Sequence, residues 1–265
     1  MMDILEAIRT RTSVRTYDGR ALDAAERASV LAAIKAESAP FGGSYEIRLH
    51  SFSGPGEFRP GTYGVIRGAS DYLMMAYDDS SDAARLSAGY AMEGVVLRAT
   101  AIGLGTCWIA ATFRGTDFAR ACVWPDGMPL KIVSPIGHPA GRRFIERVMR
   151  MGVGSDRRKP FGTLFFDGEP GRPLSAAASC FGESLEMLRL APSSTNSQPW
   201  RAVVAGGSVH LYCMRKGALS VLDCGIALRH LYGAETAAGH AGAFYRDEGA
   251  PRMQGADYLT SYRRI

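Results

Sequence analysis

The chain has 265 residues, 46% of them apolar and 22% charged, with a formal net charge of +5, the balance of a soluble globular protein with one large or two small domains. No uninterrupted apolar run approaches a membrane span: Arg98 breaks the Val95-Val96-Leu97 stretch and Asp3 and Glu6 punctuate the amino-terminal residues, so a cytoplasmic protein is expected. Five cysteines without a C-x-x-C pair and five scattered histidines suggest neither a disulfide framework nor a zinc site, while a positive charge that comes mostly from arginine, without a nucleic-acid module, favours a small phosphorylated ligand.

In chain order, Ile4, Leu5 and Ile8 form one face of a short first helix that ends near Thr10. Arg11-Thr12-Ser13-Val14-Arg15-Thr16-Tyr17 follows. In an extended segment Arg11, Ser13 and Arg15 share one side, because side chains alternate with period two. Two guanidinium groups flanking a hydroxyl make a phosphate clamp, and solvated arginines on an exposed edge are the equal alternative. Asp23-Ala24-Ala25-Glu26 has the form of a capping box and starts a helix through Val30, Leu31 and Ile34. After a turn at Phe41-Gly42-Gly43-Ser44, the alternation of Tyr45, Ile47 and Leu49 predicts a half-buried strand.

The Gly- and Pro-rich stretch 51–64 reads as a loop, and Val65-Ile66 and Tyr72 to Tyr77 as strands. Ser81 and Asp82 cap a long helix holding Leu86, Tyr90, Leu97 and Ala101 that stops at Gly103-Leu104-Gly105-Thr106. Trp108-Ile109-Ala110-Ala111 emerges from that turn. Its small residues bring backbone N–H groups close to a ligand, with a buried connecting strand as the alternative. A short helix near Asp117 to Cys122, a strand through Leu130, Ile132 and Val133 ended by Gly137-His138-Pro139, and a helix over 142–151 complete the first half. The basic stretch Gly152 to Gly162, with Arg157-Arg158-Lys159, is the candidate boundary, which places one domain at 1–155 and a second at 156–265.

In the second half Ala191-Pro192-Ser193-Ser194-Thr195-Asn196-Ser197-Gln198-Pro199-Trp200 interrupts a helical pattern and runs into Arg201-Ala202-Val203-Val204. Pro192 is expected to end the preceding helix and Pro199 to hold Gln198 extended. Small residues let a planar ring approach the backbone, and Asn196 and Gln198 offer donors and acceptors along its edge. An ordinary Pro-bounded loop is the alternative.

The halves repeat. An offset of 155 carries Ala36-Glu37-Ser38 onto Ala191-Pro192-Ser193, and an offset of 136 carries Gly89-Tyr90-Ala91 onto Gly225-Ile226-Ala227 and Thr100-Ala101-Ile102-Gly103 onto Thr236-Ala237-Ala238-Gly239. The second copy thus has a Gly206-Gly207 hairpin in place of a longer excursion. Their chemistry differs. The first half has the arginine/serine segment without the platform's amides, and the second has the platform with acidic Phe166-Asp167-Gly168-Glu169-Pro170 at the clamp's position. A single composite site is expected from this asymmetry.

Those two segments, PSSTNSQPW and R-x-S-x-R-x-Y, resemble the FMN-dependent nitroreductase family, and the asymmetric duplication resembles its single-chain variety, the TM nitroreductases. The resemblance implies an α+β nitroreductase-like fold, with two degenerate repeats forming an intramolecular pseudo-dimer around mixed sheets. It implies one FMN per chain. Arg11, Ser13 and Arg15 match the segment at the phosphate and pyrimidine side, Pro192, Ser193, Ser194 and Asn196 the platform beside the isoalloxazine, and Gly105 to Ala111, including Trp108 and Ala110, the loop near N5 and O4. Arg158 matches a phosphate-binding arginine, with Arg157 or Lys159 replacing the family's other basic position, which is Asp156 here. Many relatives have glutamate and glycine at the positions of Ala110 and Ala111. The implied activity is NAD(P)H-dependent reduction of nitroaromatic, quinone or similar planar acceptors, with no metal and no protein nucleophile. Flavin storage without turnover is the alternative. A small molecule is the expected partner, one chain suffices for one site, and pairing of whole chains is left open.

Overall fold

The computed structural model describes residues 2–53, 59–140 and 157–265. The expected helix over 142–151 and the first part of the expected boundary stretch lie outside them. The chain divides into two units, Met1–Met149 and Arg150–Ile265.

In the first unit α1 (Ile4–Thr10) and α2 (Ala24–Ala36) precede β1 (Tyr45–Ser51) and β2 (Asp71–Tyr77); α3 (Asp82–Ala101), β3 (Gly105–Thr106), α4 (Gly115–Ala119) and β4 (Leu130–Gly137) follow. The capping box forms as the sequence predicts, Asp23 accepting from the Glu26 amide and Glu26 from the Asp23 amide. The strands form an antiparallel sheet in the order β1-β2-β4-β3. Central β2 is buried throughout. Tyr72 and Met74 on one face join a cluster with Phe52, Phe118, Ile109 and Val133, while α3 packs on β1 and β2. Each fully buried Leu or Met here contributes roughly 1.5–3 kcal/mol. Helix α3 is buried nearly all round, the pattern of a helix inside a core.

The second unit has α5 (Phe161–Leu164), β5 (Phe165–Asp167), α6 (Gly182–Arg189), β6 (Trp200–Ala205), β7 (Ser208–Cys213), α7 (Ser220–Ala237), β8 (Gly242–Tyr245) and β9 (Asp257–Arg264). Its sheet runs β5-β6-β7-β9-β8, with β5 parallel to β6 and the other pairs antiparallel. Gly206 and Gly207 have φ of 56° and 75°, as a two-residue hairpin with two left-handed positions requires.

Without β5, the second sheet repeats the order of the first: an antiparallel pair of consecutive strands, then the last strand, then a short strand. The offset of 136 that aligns the long helices also aligns details of the backbone. The strand irregularity between Met75 and Ala76 recurs between Leu211 and Tyr212. Helix α3 ends with Gly103 at φ 85°, the Gly103 amide bonding Thr100 O and the Leu104 amide Ala99 O; α7 ends with Gly239 at φ 78°, its amide bonding Thr236 O and the His240 amide Glu235 O. Both are the same left-handed helix stop.

Several expectations are corrected. Val65-Ile66 forms bends, since the backbone there turns to pair Arg67 with Thr16 in a single bridge. The expected helix near Asp117 to Cys122 runs from Gly115 to Ala119. Phe161 and Gly162, read as linker, begin α5. Gln198 is not extended: its φ is 48°, and Thr195 and Asn196 are left-handed as well. Strands β8 and β9 went unread, although Tyr258, Thr260 and Tyr262 alternate with Leu259, Ser261 and Arg263. No helix among the described residues is long and apolar enough to cross a membrane, and no group of three or more His, Cys, Asp or Glu among them is placed to hold a metal.

Candidate functional site

The candidate residues fall into two sets, one in each unit. In the first unit α1 ends at Arg11, which leaves the helix with φ −53° and ψ 125°. The next residues lie against β3: Ser13 bridges Thr106 in parallel and the Val14 amide donates to Thr106 O at 2.8 Å. Farther on, the Arg67 amide donates to Arg15 O and the Tyr17 amide to Arg67 O, both at 2.9 Å. These bonds hold the extended conformation on which the side-chain alternation of Arg11, Ser13 and Arg15 depends.

Gly105 lets this docking happen. A Cβ there would stand 2.7 Å from Val14 Cγ2 and 3.0 Å from Pro139 Cγ, inside van der Waals contact. Beyond β3, Cys107 donates from its amide to Ser134 Oγ at 3.1 Å, and Ile109 exchanges two backbone hydrogen bonds of 3.0 Å with Val133. This single bridge replaces a connecting strand. Anchored on both sides, Trp108 and Ala110 are half-buried and Ala111 is exposed. Among the described residues the amides of Trp108, Ala110 and Ala111 donate no hydrogen bond, which leaves three backbone donors in a loop of small residues.

Glu93, in the middle of α3 and fully buried, joins the two segments. It accepts the Trp108 indole N–H at 2.9 Å, and Arg11 Nε lies 3.8 Å from its other oxygen. The Arg11 side chain is only 6% exposed, and its Nε makes no hydrogen bond among the described residues. The sequence reading did not single out Glu93; its signal is a lone acid between Met92 and Gly94-Val95-Val96.

In the second unit the platform is a 3₁₀ turn (Ser194–Asn196) followed by left-handed Gln198. Ser193 Oγ accepts the Gln198 amide at 2.9 Å, and the Asn196 amide bonds Ser193 O at 3.0 Å. The amide side chains turn to their own unit. Asn196 Nδ2 donates to Arg157 O at 2.7 Å and its Oδ1 accepts from Arg158 Nη1 at 3.2 Å; buried Gln198 accepts the Lys159 amide at 2.8 Å. Arg158 also donates to Leu190 O at 3.0 Å. The structure thus ties Arg157 and Arg158 to Asn196, whereas Pro192 and Ser193 are half-buried and Ser194 and Arg157 exposed.

Asp223, in the first turn of α7, holds the platform from below the chain's notice in sequence: both its oxygens accept the Ser194 amide at 3.1 Å. Burial raises its carboxyl to about 7, opposed only in part by that amide. The nearby thiols are buried too, Cys224 being pushed up by burial and Cys213 lowered by the hydrogen bond with Cys224.

Compared with known proteins, residues 3–235 match the family described as "Putative TM nitroreductase". A search of the curated proteins finds no match. Among solved structures, a putative nitroreductase from Thermotoga maritima is 22% identical over 100% of this chain and 94% of that chain, with a TM-score of 0.63. A nitroreductase with bound FMN from Bacteroides fragilis is 19% identical over 54% of this chain and 92% of its own, TM-score 0.42. A putative nitroreductase in complex with FMN from Desulfovibrio desulfuricans is 21% identical over 55% and 94%, TM-score 0.40. The likeness to the Thermotoga protein is one of fold.

Proposed function

The chain belongs to the putative TM nitroreductase family, and from that premise we propose that it is an FMN-dependent oxidoreductase, taking electrons from NAD(P)H and passing them to a nitroaromatic, quinone or similar planar acceptor. The family supports the oxidoreductase class; the cofactor, donor and acceptor are our reading. One observation carries it: the Arg11–Arg15 segment lies along β3, so that two arginines and a hydroxyl share a unit with the donor amides of Trp108, Ala110 and Ala111.

This donor set fits FMN. A phosphate monoester carries about −1.5 to −2 charge near neutral pH, which arginines match with charge-assisted bonds. The buried Arg11 Nε, without a hydrogen bond among the described residues, fits a polar ligand. Backbone N–H groups suit the electron-rich edge of a flavin. In this reading Arg11, Ser13 and Arg15 of the first unit hold the phosphate and pyrimidine side and Gly105 to Ala111 the edge, while Pro192, Ser193, Ser194, Asn196, Arg157 and Arg158 are the second unit's own flavin-platform residues. The common strand order, strand irregularity and helix stop support a repeat whose two copies have divided these tasks.

When bound, FMN supplies the hydride chemistry, and the protein supplies position and electrostatics. The arginines neutralise the phosphate. Loop amides donate to the ring edge, where they favour added negative charge. Ser193 and Asp223 keep the platform backbone in its left-handed turn.

The test is the visible spectrum of the full chain reconstituted with FMN, followed anaerobically after addition of NADPH or NADH. We expect about one FMN per chain and rapid bleaching. A bound flavin that stays yellow would mean storage instead of turnover, and absence of binding would remove the flavin site.

A further inference from the structure

Three cations of the second unit gather where the platform enters β6. Lys159 Nζ donates to Ser197 O at 2.6 Å and to Gln198 O at 3.2 Å. Arg201 Nη1 donates to the same Gln198 carbonyl at 3.2 Å and to Trp200 O at 2.6 Å, so two positive side chains share one acceptor. Lys216 adds a third positive charge beside Lys159. Its backbone is fixed as well, because the amides of Lys216 and Gly217 both donate to Ser220 Oγ at 3.0 Å, at the start of α7.

Among the described residues no carboxylate pairs with any of the three. Glu186 pairs with Arg189, Asp257 with Arg215, and Asp223 accepts the Ser194 amide. The crowding registers in the groups themselves. Burial, then Lys216 and Arg201, bring Lys159 down to about 8, and burial lowers Arg201. Neutral carbonyls satisfy N–H groups without cancelling the mutual repulsion of like charges; an oxyanion would do both.

We propose that Lys159, Arg201 and Lys216 form a second anion-binding site, distinct in its residues from the Arg11–Arg15 segment, that takes the phosphate group of a small molecule. Half-buried Lys159 and Arg201 are held by backbone carbonyls and so are pre-organised, while Lys216 is exposed and free to move onto a ligand. A phosphate brings the double negative charge and several acceptors that three converging cations can share. Free phosphate and the phosphate of a nucleotide present the same chemistry. The site stands on these residues alone and does not require the flavin reading.

The test is titration calorimetry on the full chain, FMN-free and FMN-saturated, at pH 7 and constant ionic strength. The probes are inorganic phosphate and adenosine 2′-monophosphate, and K216A is the variant, because Lys216 is exposed and its backbone bonds survive the change. Phosphate is expected to bind both forms, with at least tenfold weaker affinity in K216A and an unchanged circular dichroism spectrum. Displacement of phosphate by the adenosine monophosphate identifies a nucleotide ligand, and binding of inorganic phosphate alone identifies free phosphate; either upholds the site. No phosphate binding, an unaffected K216A, or loss of phosphate binding once FMN is loaded overturns it, the last because the cations would then serve the flavin's own phosphate. Failure of FMN to bind while phosphate still binds counts against the flavin reading alone.

Discussion

Trp108 and Glu93 are joined by a 2.9 Å hydrogen bond from the indole N–H to a carboxylate buried in the middle of α3, and Arg11 stands on the carboxylate's other side. The loop and the arginine segment are thereby referred to one acid. Removing one partner of a buried charge pair costs about 3–5 kcal/mol, because the other charge is left uncompensated. E93A is therefore expected to lose about 3 kcal/mol in urea unfolding, and E93Q less, since its amide oxygen still accepts the indole. Equal stability of both variants and the parent would show that Glu93 joins nothing.

Arg15 is the clamp's second arginine, Arg11 being the one that stands 3.8 Å from Glu93. A hydrogen bond to a charged group is worth about 1.5–3 kcal/mol, so R15A is expected to weaken FMN binding by roughly 10- to 100-fold. Flavin fluorescence quenching measures this, and an unchanged dissociation constant removes Arg15 from the phosphate.

Gly105 has no room for a side chain. In G105A the new Cβ meets the β-branched Val14, which has no flexible end to move aside, so the Arg11–Arg15 segment must lift from β3. Overpacking of this kind costs about 1–3 kcal/mol. Both the melting temperature and flavin affinity should fall together; a fall in neither means the segment is not seated against β3.

Gln198 is buried and accepts the Lys159 amide at 2.8 Å. Q198L leaves that amide without its acceptor and removes the side chain that braces a left-handed backbone, an expected loss of about 1–3 kcal/mol. Limited proteolysis would show earlier cleavage near Lys159 in the variant. Parent-like resistance and stability would contradict this bracing role.

Asp223 links stability to pH. Its folded pKa of about 7 lies above the ordinary 3.8, so the folded state holds a proton that the unfolded state releases. Its contribution is fully present below about 4 and is lost as pH rises towards 7. D223N stays neutral throughout. The variant and parent should therefore match near pH 4 and diverge in favour of D223N by up to about 4 kcal/mol at pH 7.5. Denaturation curves at the two pH values with a constant difference would rule out the raised pKa.

Local chemistry made part of this legible. Asp23 and Glu26 form their capping box, Gly206-Gly207 its hairpin, and Gly103 and Gly239 their helix stops because each depends on residues a few positions apart. Pro199 misled for the same reason: its effect on Gln198 is a local preference, which the Ser193, Lys159 and Asn196 bonds to Gln198 override. The last two strands were missed because β9 finds its partner, β7, far back in the chain.

By itself the sequence determined the long helices and most of the strands, the repeated pattern at an offset of 136, and the residue types from which an anion- and ring-binding surface can be made. Periodicity, caps and turn residues act over one or two turns of chain, so they are written into neighbouring letters. Only the tertiary structure decided that Glu93 gathers Arg11 and Trp108, that Asp223 grips the Ser194 amide, and that Asn196 and Gln198 spend their amides on 157–159. Those are contacts between distant positions. They exist because packing buries polar groups, and a buried polar group takes whichever partner the fold brings within hydrogen-bond distance.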